Sequence, residues 1–417
     1  MQTSPNSLPH WLKTASRLLN DQRLKYAWLM GGILWAAWLI SILLGKANYD
    51  LAGQPLGGDY VDFHVAGMTL NRGESARLYD FDYQKQLQIQ VLGGDFRDPT
   101  AYNALITPPH FSVPFMPLAL LPYPLSFALW SLLGLALTYL SVNISGIENP
   151  RRAFLWSLTW FPLFAAVSFG QNSLASLALF SATYAIWKRE DQPSLFAAGL
   201  VASLLAYKPQ LTFGLGLLWL FNYKRDWPAL LGLALGGGIQ AGLSFWLMPK
   251  ASLDYLYLTQ NILPTLLQQP GYPIWHSHNW RAFWLLLMPG LPGLAEGIST
   301  LLALIGVWGF FTFNRRFQSA PRLRFAAMIL LTLWISPHFL IYDWSILILP
   351  TLLLWQTFPD QRRVLKTLFA LPWLAIFISG SLTYLQLQIL PVALQISMPV
   401  LTLVIYRLWK MTSKSGF

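Results

Sequence analysis

The sequence contains no cysteine. That excludes a disulfide framework, a zinc–thiolate centre, an iron–sulfur cluster and a cysteine nucleophile. Charge is nearly as scarce: Lys, Arg, Asp and Glu make up 11% of the 417 residues, against about 25% in an ordinary soluble domain. H-E-x-x-H, G-x-S-x-G, the P-loop and G-x-G-x-x-G are also missing. What the chain has instead is apolar side chain, at 55% hydrophobic residues with 20 Trp and a mean hydropathy of +0.45. A disordered, collagen-like or soluble Rossmann-type chain is incompatible with that composition.

The scarce charges are also unevenly placed. No Asp, Glu, Lys or Arg occurs from Tyr26 to Gly45, Pro99 to Ile147, Ala153 to Trp187, Trp227 to Pro249, Gly297 to Asn314, Phe325 to Tyr342 or Thr367 to Tyr406. About 20 apolar residues suffice for a helix to cross the hydrocarbon. A charge at its centre costs roughly 2.5–3.5 kcal/mol even on the lenient insertion scale. The chain therefore reads as an all-α polytopic membrane protein. About twelve spans are expected, at 26–45, 125–145, 153–169, 173–187, 194–207, 210–222, 228–246, 296–313, 325–341, 343–357, 367–381 and 390–408.

Twelve crossings put both termini on one side, which then holds 20 of the 28 basic residues. The positive-inside rule makes that side cytoplasmic. The formal charge of +11 is thus a topology signal, and no nucleic-acid partner is expected. The organisation that follows is a cytoplasmic segment 1–25, one transmembrane domain 26–410 and a cytoplasmic tail 411–417. Two large extracytoplasmic loops are expected, at 46–124 and 247–295. Apolar stretches within them, such as Phe111–Leu121 and Phe283–Met288, are too short to cross and suit the interface or a re-entrant path. No internal repeat is evident.

The chemistry-bearing residues gather toward the outer side. In Gly57-Gly58-Asp59-Tyr60-Val61-Asp62-Phe63-His64, two carboxylates three apart share one helix face. Partial desolvation would raise either toward a useful base. Equally, Asp59 after Gly-Gly is a good helix N-cap. The segment Thr107-Pro108-Pro109-His110-Phe111, followed by Pro114, Pro117, Pro122 and Pro124, is too proline-dense for a straight helix and suits a loop lining a cavity. His110 there is either a phosphate contact or a structural histidine. Gly170-Gln171-Asn172-Ser173 makes a polar turn between spans. Lys208, in Tyr207-Lys208-Pro209-Gln210, is the only basic residue between Arg189 and Lys224 and falls on the outer side. It either snorkels or meets an anion, and its loss is expected to weaken anion binding with little effect on folding.

Five of the six histidines, His64, His110, His276, His278 and His338, also map outward; His10 does not. Arg281 follows His276 and His278 closely, and Tyr342 and Asp343 follow His338. Imidazoles, a lysine, an arginine and carboxylates on one membrane face suggest an anionic-lipid site with an acid/base group. No ligand spacing demands a metal, and no metal or cofactor is assigned.

These segments resemble glycosyltransferase family 87, multi-pass enzymes of the GT-C fold that include mannosyltransferases of phosphatidylinositol mannosides. The resemblance lies in Gly58-Asp59-Tyr60 with Phe63, Ala66-Gly67, Gly73 and Leu78-Tyr79-Asp80; in Pro108-Pro109-His110-Phe111 through Leu121-Pro122-Tyr123; in Gly170-Gln171; in Gly199 with Tyr207-Lys208-Pro209-Gln210-Leu211 and Trp227; and in Ser336-Pro337-His338 with Tyr342-Asp343. It spans about residues 58–350. Thr107 stands where the family usually has an aromatic residue.

The resemblance implies sugar transfer from a polyprenyl phosphate on the non-cytoplasmic face of the plasma (inner) membrane, with an Asp of the first outer loop as base. The family's pattern lands on Asp59, with Asp62 beside it. Substrate-binding candidates are Lys208, Arg281, His278, His338, His110, Gln171, Gln210, Tyr342 and Asp343. The expected function is an inverting, metal-independent hexosyltransfer (mannose-like) to a lipid or glycan acceptor in envelope assembly. The alternative from another class is a transporter or flippase of a lipid-linked sugar. A flippase needs polar groups through both halves of the bilayer, whereas here they concentrate in the outer half.

Overall fold

A computed structural model describes residues 19–94, 103–269 and 272–414, together with Thr14 and Arg17; His10 lies outside the described residues. Among the described residues there are seventeen α-helices and no β-strand. In chain order they are α1 (Asp21–Leu43), α2 (Tyr60–Asn71), α3 (Phe81–Leu92), α4 (Tyr123–Ile144), α5 (Pro150–Ser157), α6 (Phe161–Ser168), α7 (Ser173–Trp187), α8 (Gln192–Ser203), α9 (Pro209–Leu220), α10 (Tyr223–Leu247), α11 (Pro249–Asn261), α12 (Trp280–Leu287), α13 (Pro292–Arg316), α14 (Pro321–Ile335), α15 (Ile348–Thr357), α16 (Arg362–Leu387) and α17 (Ser397–Lys414).

The helix starts are written locally. Proline opens α5, α9, α11, α13 and α14, where its missing N–H costs nothing. Asn20, Asp80, Asn149, Asp191 and Asn279 cap their helices with side-chain oxygens, the ordinary duty of such residues.

Every expected span coincides with helix, with differences that have physical causes. The 153–169 stretch is two eight-residue helices, α5 and α6, broken before Pro162. The break survives because indole N–H groups bond its freed carbonyls. Trp35 donates to Leu158 O at 2.9 Å and Trp373 to Thr159 O at 2.7 Å, which is how irregular backbone is tolerated at membrane depth. The 325–341 stretch stops at Ile335, ahead of Pro337. The 343–357 stretch begins as a 3₁₀ turn, Ile341–Leu347. The 390–408 stretch is helical only from Ser397.

Among the described residues five helical stretches, Gln22–Leu43, Tyr123–Ile144, Tyr223–Leu247, Pro292–Arg316 and Pro359–Leu387, are long and apolar enough to cross a bilayer. The rest are shorter, so helix length alone supports a polytopic membrane protein and not a count of twelve.

Among the described residues two large apolar cores organise the molecule, with a small third cluster at Leu267, Ala282, Leu285 and Ala295. The larger runs through α7, α9, α14, α15 and the 341–347 turn. The smaller joins α2, α3, the 3₁₀ turn Pro109–Phe115 and the start of α4, so the first large loop is a packed helical layer. Glycine brings α8 and α10 into backbone contact: a Cβ on Gly199 would lie 2.1 Å from Ala229 O, and one on Gly232 2.2 Å from Phe196 O. Close approach through small residues is the usual route to association of apolar helices in lipid.

At the opposite end of the bundle from the first loop, Asp226 is fully buried. It is held by Arg225 Nε at 2.7 Å, with Arg324 Nη2 at 3.9 Å. Both guanidinium groups lie over the Trp187 ring. This cluster ties α7, α10 and α14 together.

Candidate active site

The site begins with two glycines in left-handed conformation, Gly57 at φ +58° and Gly170 at φ +69°. A Cβ on Gly170 would fall 2.5 Å from that of Tyr60, and one on Gly57 2.5 Å from the Phe127 ring. Their absence lets the start of α2 press against the turn between α6 and α7. There the backbone N–H groups of Asp59 and Tyr60 both donate to Phe169 O at 3.0 Å. Tyr60 then leans on α4, with its ring stacked on Trp130 and its hydroxyl 2.6 Å from Ser126 Oγ.

Asp59 occupies the N-cap position of α2, yet its side chain makes no capping bond. It accepts instead from Gln171 Nε2 at 2.8 Å, with the Tyr342 side chain near enough to favour its ionised form. Gln171 Oε1 accepts from Asn172 N at 3.2 Å, which turns the amide N–H₂ toward Asp59. Solvent partly reaches Asp59 although protein surrounds it, so it lines a recess. That burial raises its pKa, while Gln171, Tyr342 and the nearby Lys208 charge pull it back. Asp62 is buried and bonded only to backbone at Phe63 N, 2.9 Å away. Burial first, and then the Asp59 charge, push Asp62 well above the ordinary carboxylate range. Of the pair, Asp59 is the one whose partners favour an ionised carboxylate.

Facing Asp59 is a second cluster. Lys208, at the turn between α8 and α9, places Nζ 2.7 Å from Asp343 Oδ1. Ser173 Oγ donates to the same oxygen at 2.8 Å, and Leu340 N to Oδ2 at 3.1 Å. Lys208 Nζ also stands 5.4 Å from the Tyr342 ring centroid. The expectation that Lys208 is dispensable for folding is therefore corrected, because its ammonium compensates a buried carboxylate. Tyr207 anchors this turn through Ser176 at 2.6 Å and Asn172 O at 3.1 Å, and stacks on Phe111 at 4.3 Å.

The other candidates sit at different depths. Gln210 reaches the carbonyl of His338 at 3.5 Å, and half-buried His338 feels the charge of Arg281. Arg281 itself is committed to Glu296 at 2.7 Å and to the Pro264 carbonyl. His278 is fully enclosed, with Nδ1 2.9 Å from Ser397 Oγ, its N–H on Phe339 O and its carbonyl accepting from Trp344. Burial pushes its pKa down to about 3, so it supports the 338–344 segment as a neutral ring, and the cationic role expected of it does not fit. His110 bonds Ser244 Oγ at 3.1 Å, and its Nε2 is buried without a partner. It sits half-buried on the 3₁₀ turn Pro109–Phe115, next to Phe111, which stacks on Tyr207. His64, near Ser126 and lowered to about 4 by burial, is another neutral structural ring.

Reading the sequence singled out Asp59, Gln171, Lys208, Tyr342 and Asp343, which the fold brings together. It passed over two residues: Ser173 on Asp343, and Tyr272, which lies within electrostatic reach of Asp59, Asp343 and Arg281. Ser173 had a signal, since it ends the Gly170-Gln171-Asn172-Ser173 turn. Tyr272 had none. Among the described residues no group of three or more His, Asp or Glu is arranged to hold a metal ion.

An all-helical membrane protein with an acid/base recess built from its first large loop and three inter-helix turns is the class that fold and site define. The model of glycosyltransferase family 87 matches residues 106–337, more than half of the chain, and the chain belongs to that family. It is accordingly a membrane glycosyltransferase. No curated protein and no solved structure matches it significantly. The matched stretch contains Gln171 and Lys208; Asp59, Asp62, Tyr342 and Asp343 lie outside it.

Proposed function

We propose that this glycosyltransferase moves a mannose-like hexose from a polyprenyl phosphate to an acceptor hydroxyl, with inversion, at the extracytoplasmic face of the plasma membrane. The observation that supports the reading is the Asp59 carboxylate, released from capping, partly open to solvent and within electrostatic reach of the Lys208–Asp343 pair.

In the proposed reaction the acceptor oxygen attacks the anomeric carbon from the face opposite the phosphate. The bond from that carbon to the phosphate oxygen breaks, and polyprenyl phosphate leaves with the electron pair. The acceptor proton passes to Asp59, an assistance worth typically about 10²–10⁴ in rate. Gln171 and Tyr342 orient the base. An ammonium has three donors; Asp343 engages one of those on Lys208, leaving others for the developing phosphate charge. His338 and Gln210 lie on the same wall. Asp62, favouring its protonated form, lowers the negative charge that the incoming phosphate would meet. No cofactor takes part.

The test is transfer by the purified protein with polyprenyl-phosphate mannose and glucose donors, reading the product's anomeric configuration by NMR. Inverted product supports the reading. Retained configuration, or transfer only from nucleotide sugars, overturns it.

A further inference from the structure

Away from the recess, a cavity of about 430 Å³ opens between the first loop and α11. Its walls come from the 3₁₀ turn Ser75–Arg77, the following Tyr79 and Asp80, and one face of α11. Nothing in the proposed reaction uses it.

The lining has a particular chemistry. Arg77 lies 3.3 Å from Asp80, and Lys250 2.7 Å from Asp254. Each cation is already matched by a carboxylate, so the cavity has no net charge to offer a lipid phosphate. Four charged side chains disfavour a purely hydrocarbon ligand, while Phe81, Leu258 and Ile262 add apolar faces. Tyr79 and Tyr257 add aromatic surface. Tyr79 is pinned by its hydroxyl on Thr107 O at 2.6 Å and by the Tyr255 ring 6.0 Å away, while Tyr257 is 64% exposed at the rim. Carboxylates that accept from hydroxyls, cations that donate to them, and aromatic faces together suit a neutral, hydroxyl-rich ring.

Position sets the length of the ligand. The cavity adjoins the C-terminal end of α2, and Asp59 stands at its N-terminal end. Twelve helical residues separate the two by ~18 Å, more than one sugar ring spans.

We propose that this cavity binds a remote sugar unit of an oligosaccharide-bearing acceptor whose reacting end lies at Asp59. The inference rests on the glycosyl transfer proposed above and extends it to the acceptor. Tyr257 and Asp254 are binding residues with no part in the chemistry.

Saturation-transfer NMR on the purified full-length protein in detergent tests it, with maltose, cellobiose and α-1,6-mannobiose as probes. At least one disaccharide should receive saturation. Tyr257→Ala and Asp254→Asn, both at the accessible rim, should each weaken that binding by about tenfold, and Asp59→Asn should leave it unchanged. The inference is overturned if no disaccharide binds, or if binding ignores both rim substitutions. Saturation of dihexanoyl phosphatidylglycerol with none of the sugars would assign the cavity to a lipid headgroup and overturn it equally. Missing transfer activity with rim-dependent disaccharide binding intact would remove the proposed reaction alone.

Discussion

Lys208→Met is the perturbation that best separates chemistry from architecture. The Asp343 side chain is 4% exposed and that of Lys208 14%, so the substitution strands a buried carboxylate with only Ser173 Oγ and Leu340 N as partners. Removing one partner of a buried ion pair typically costs about 3–5 kcal/mol, whereas replacing both is often nearly neutral. The double variant Lys208→Met/Asp343→Asn removes the uncompensated charge; the amide oxygen can still accept from Leu340 N while its N–H₂ donates to Ser173 Oγ. It should therefore be more stable than Lys208→Met alone, a non-additivity of order 1–3 kcal/mol. Thermal unfolding of the detergent-solubilised variants measures this, and transfer from the lipid donor measures the rest. Stability should return in the double variant while turnover stays low, since the leaving phosphate still lacks its cation. Additive stabilities would refute the structural half of the reasoning. Restored turnover would refute the chemical half and leave Lys208 as a prop for Asp343.

Asp59→Asn should lower turnover by about two to four orders of magnitude with donor binding retained, and Asp62→Asn should be milder; the reverse order, read in the same transfer assay, would move the base to Asp62. The acid limb of the kcat/KM profile should lie above the ordinary carboxylate range near ~4, because burial raises Asp59 and the base must be ionised to act. Burial also raises Asp62, so its contribution to stability is full below the unfolded carboxylate pKa and is lost as pH rises through the folded one. The Tm advantage of Asp62→Asn over wild type should accordingly grow as pH rises above the unfolded carboxylate pKa of about 4, and a constant difference would refute this. Asp226→Ala should destabilise by about 3–5 kcal/mol in thermal unfolding, because Arg324 stays buried beside Trp187. For sidedness, cysteines at the exposed positions Asp82 and Gln260 should react with an impermeant thiol reagent in intact cells and cysteines at Gln192 and Ser319 should not.

Membrane residence and the all-helical class were legible in the sequence, because each depends on local chemistry. A charge-free run must leave water wherever it occurs. The resemblance to the family could be read from short motifs in order, and Asp59, Gln171, Lys208, Tyr342 and Asp343 were named one by one. Their partners were not legible. Lys208 and Asp343 are 135 residues apart and Asp59 and Gln171 112, and no spacing rule connects such distances. Asp59 looked equally like a cap and like a base. Only the packed turn at Gly170, which places Gln171 against it, directs the carboxylate into the recess. Only burial by distant helices made His278 neutral, committed Arg281 to Glu296 and separated Asp59 from Asp62. Side-chain identity sets what a group can do. Desolvation and through-space charge, which come only from the tertiary structure, set which of these things it does.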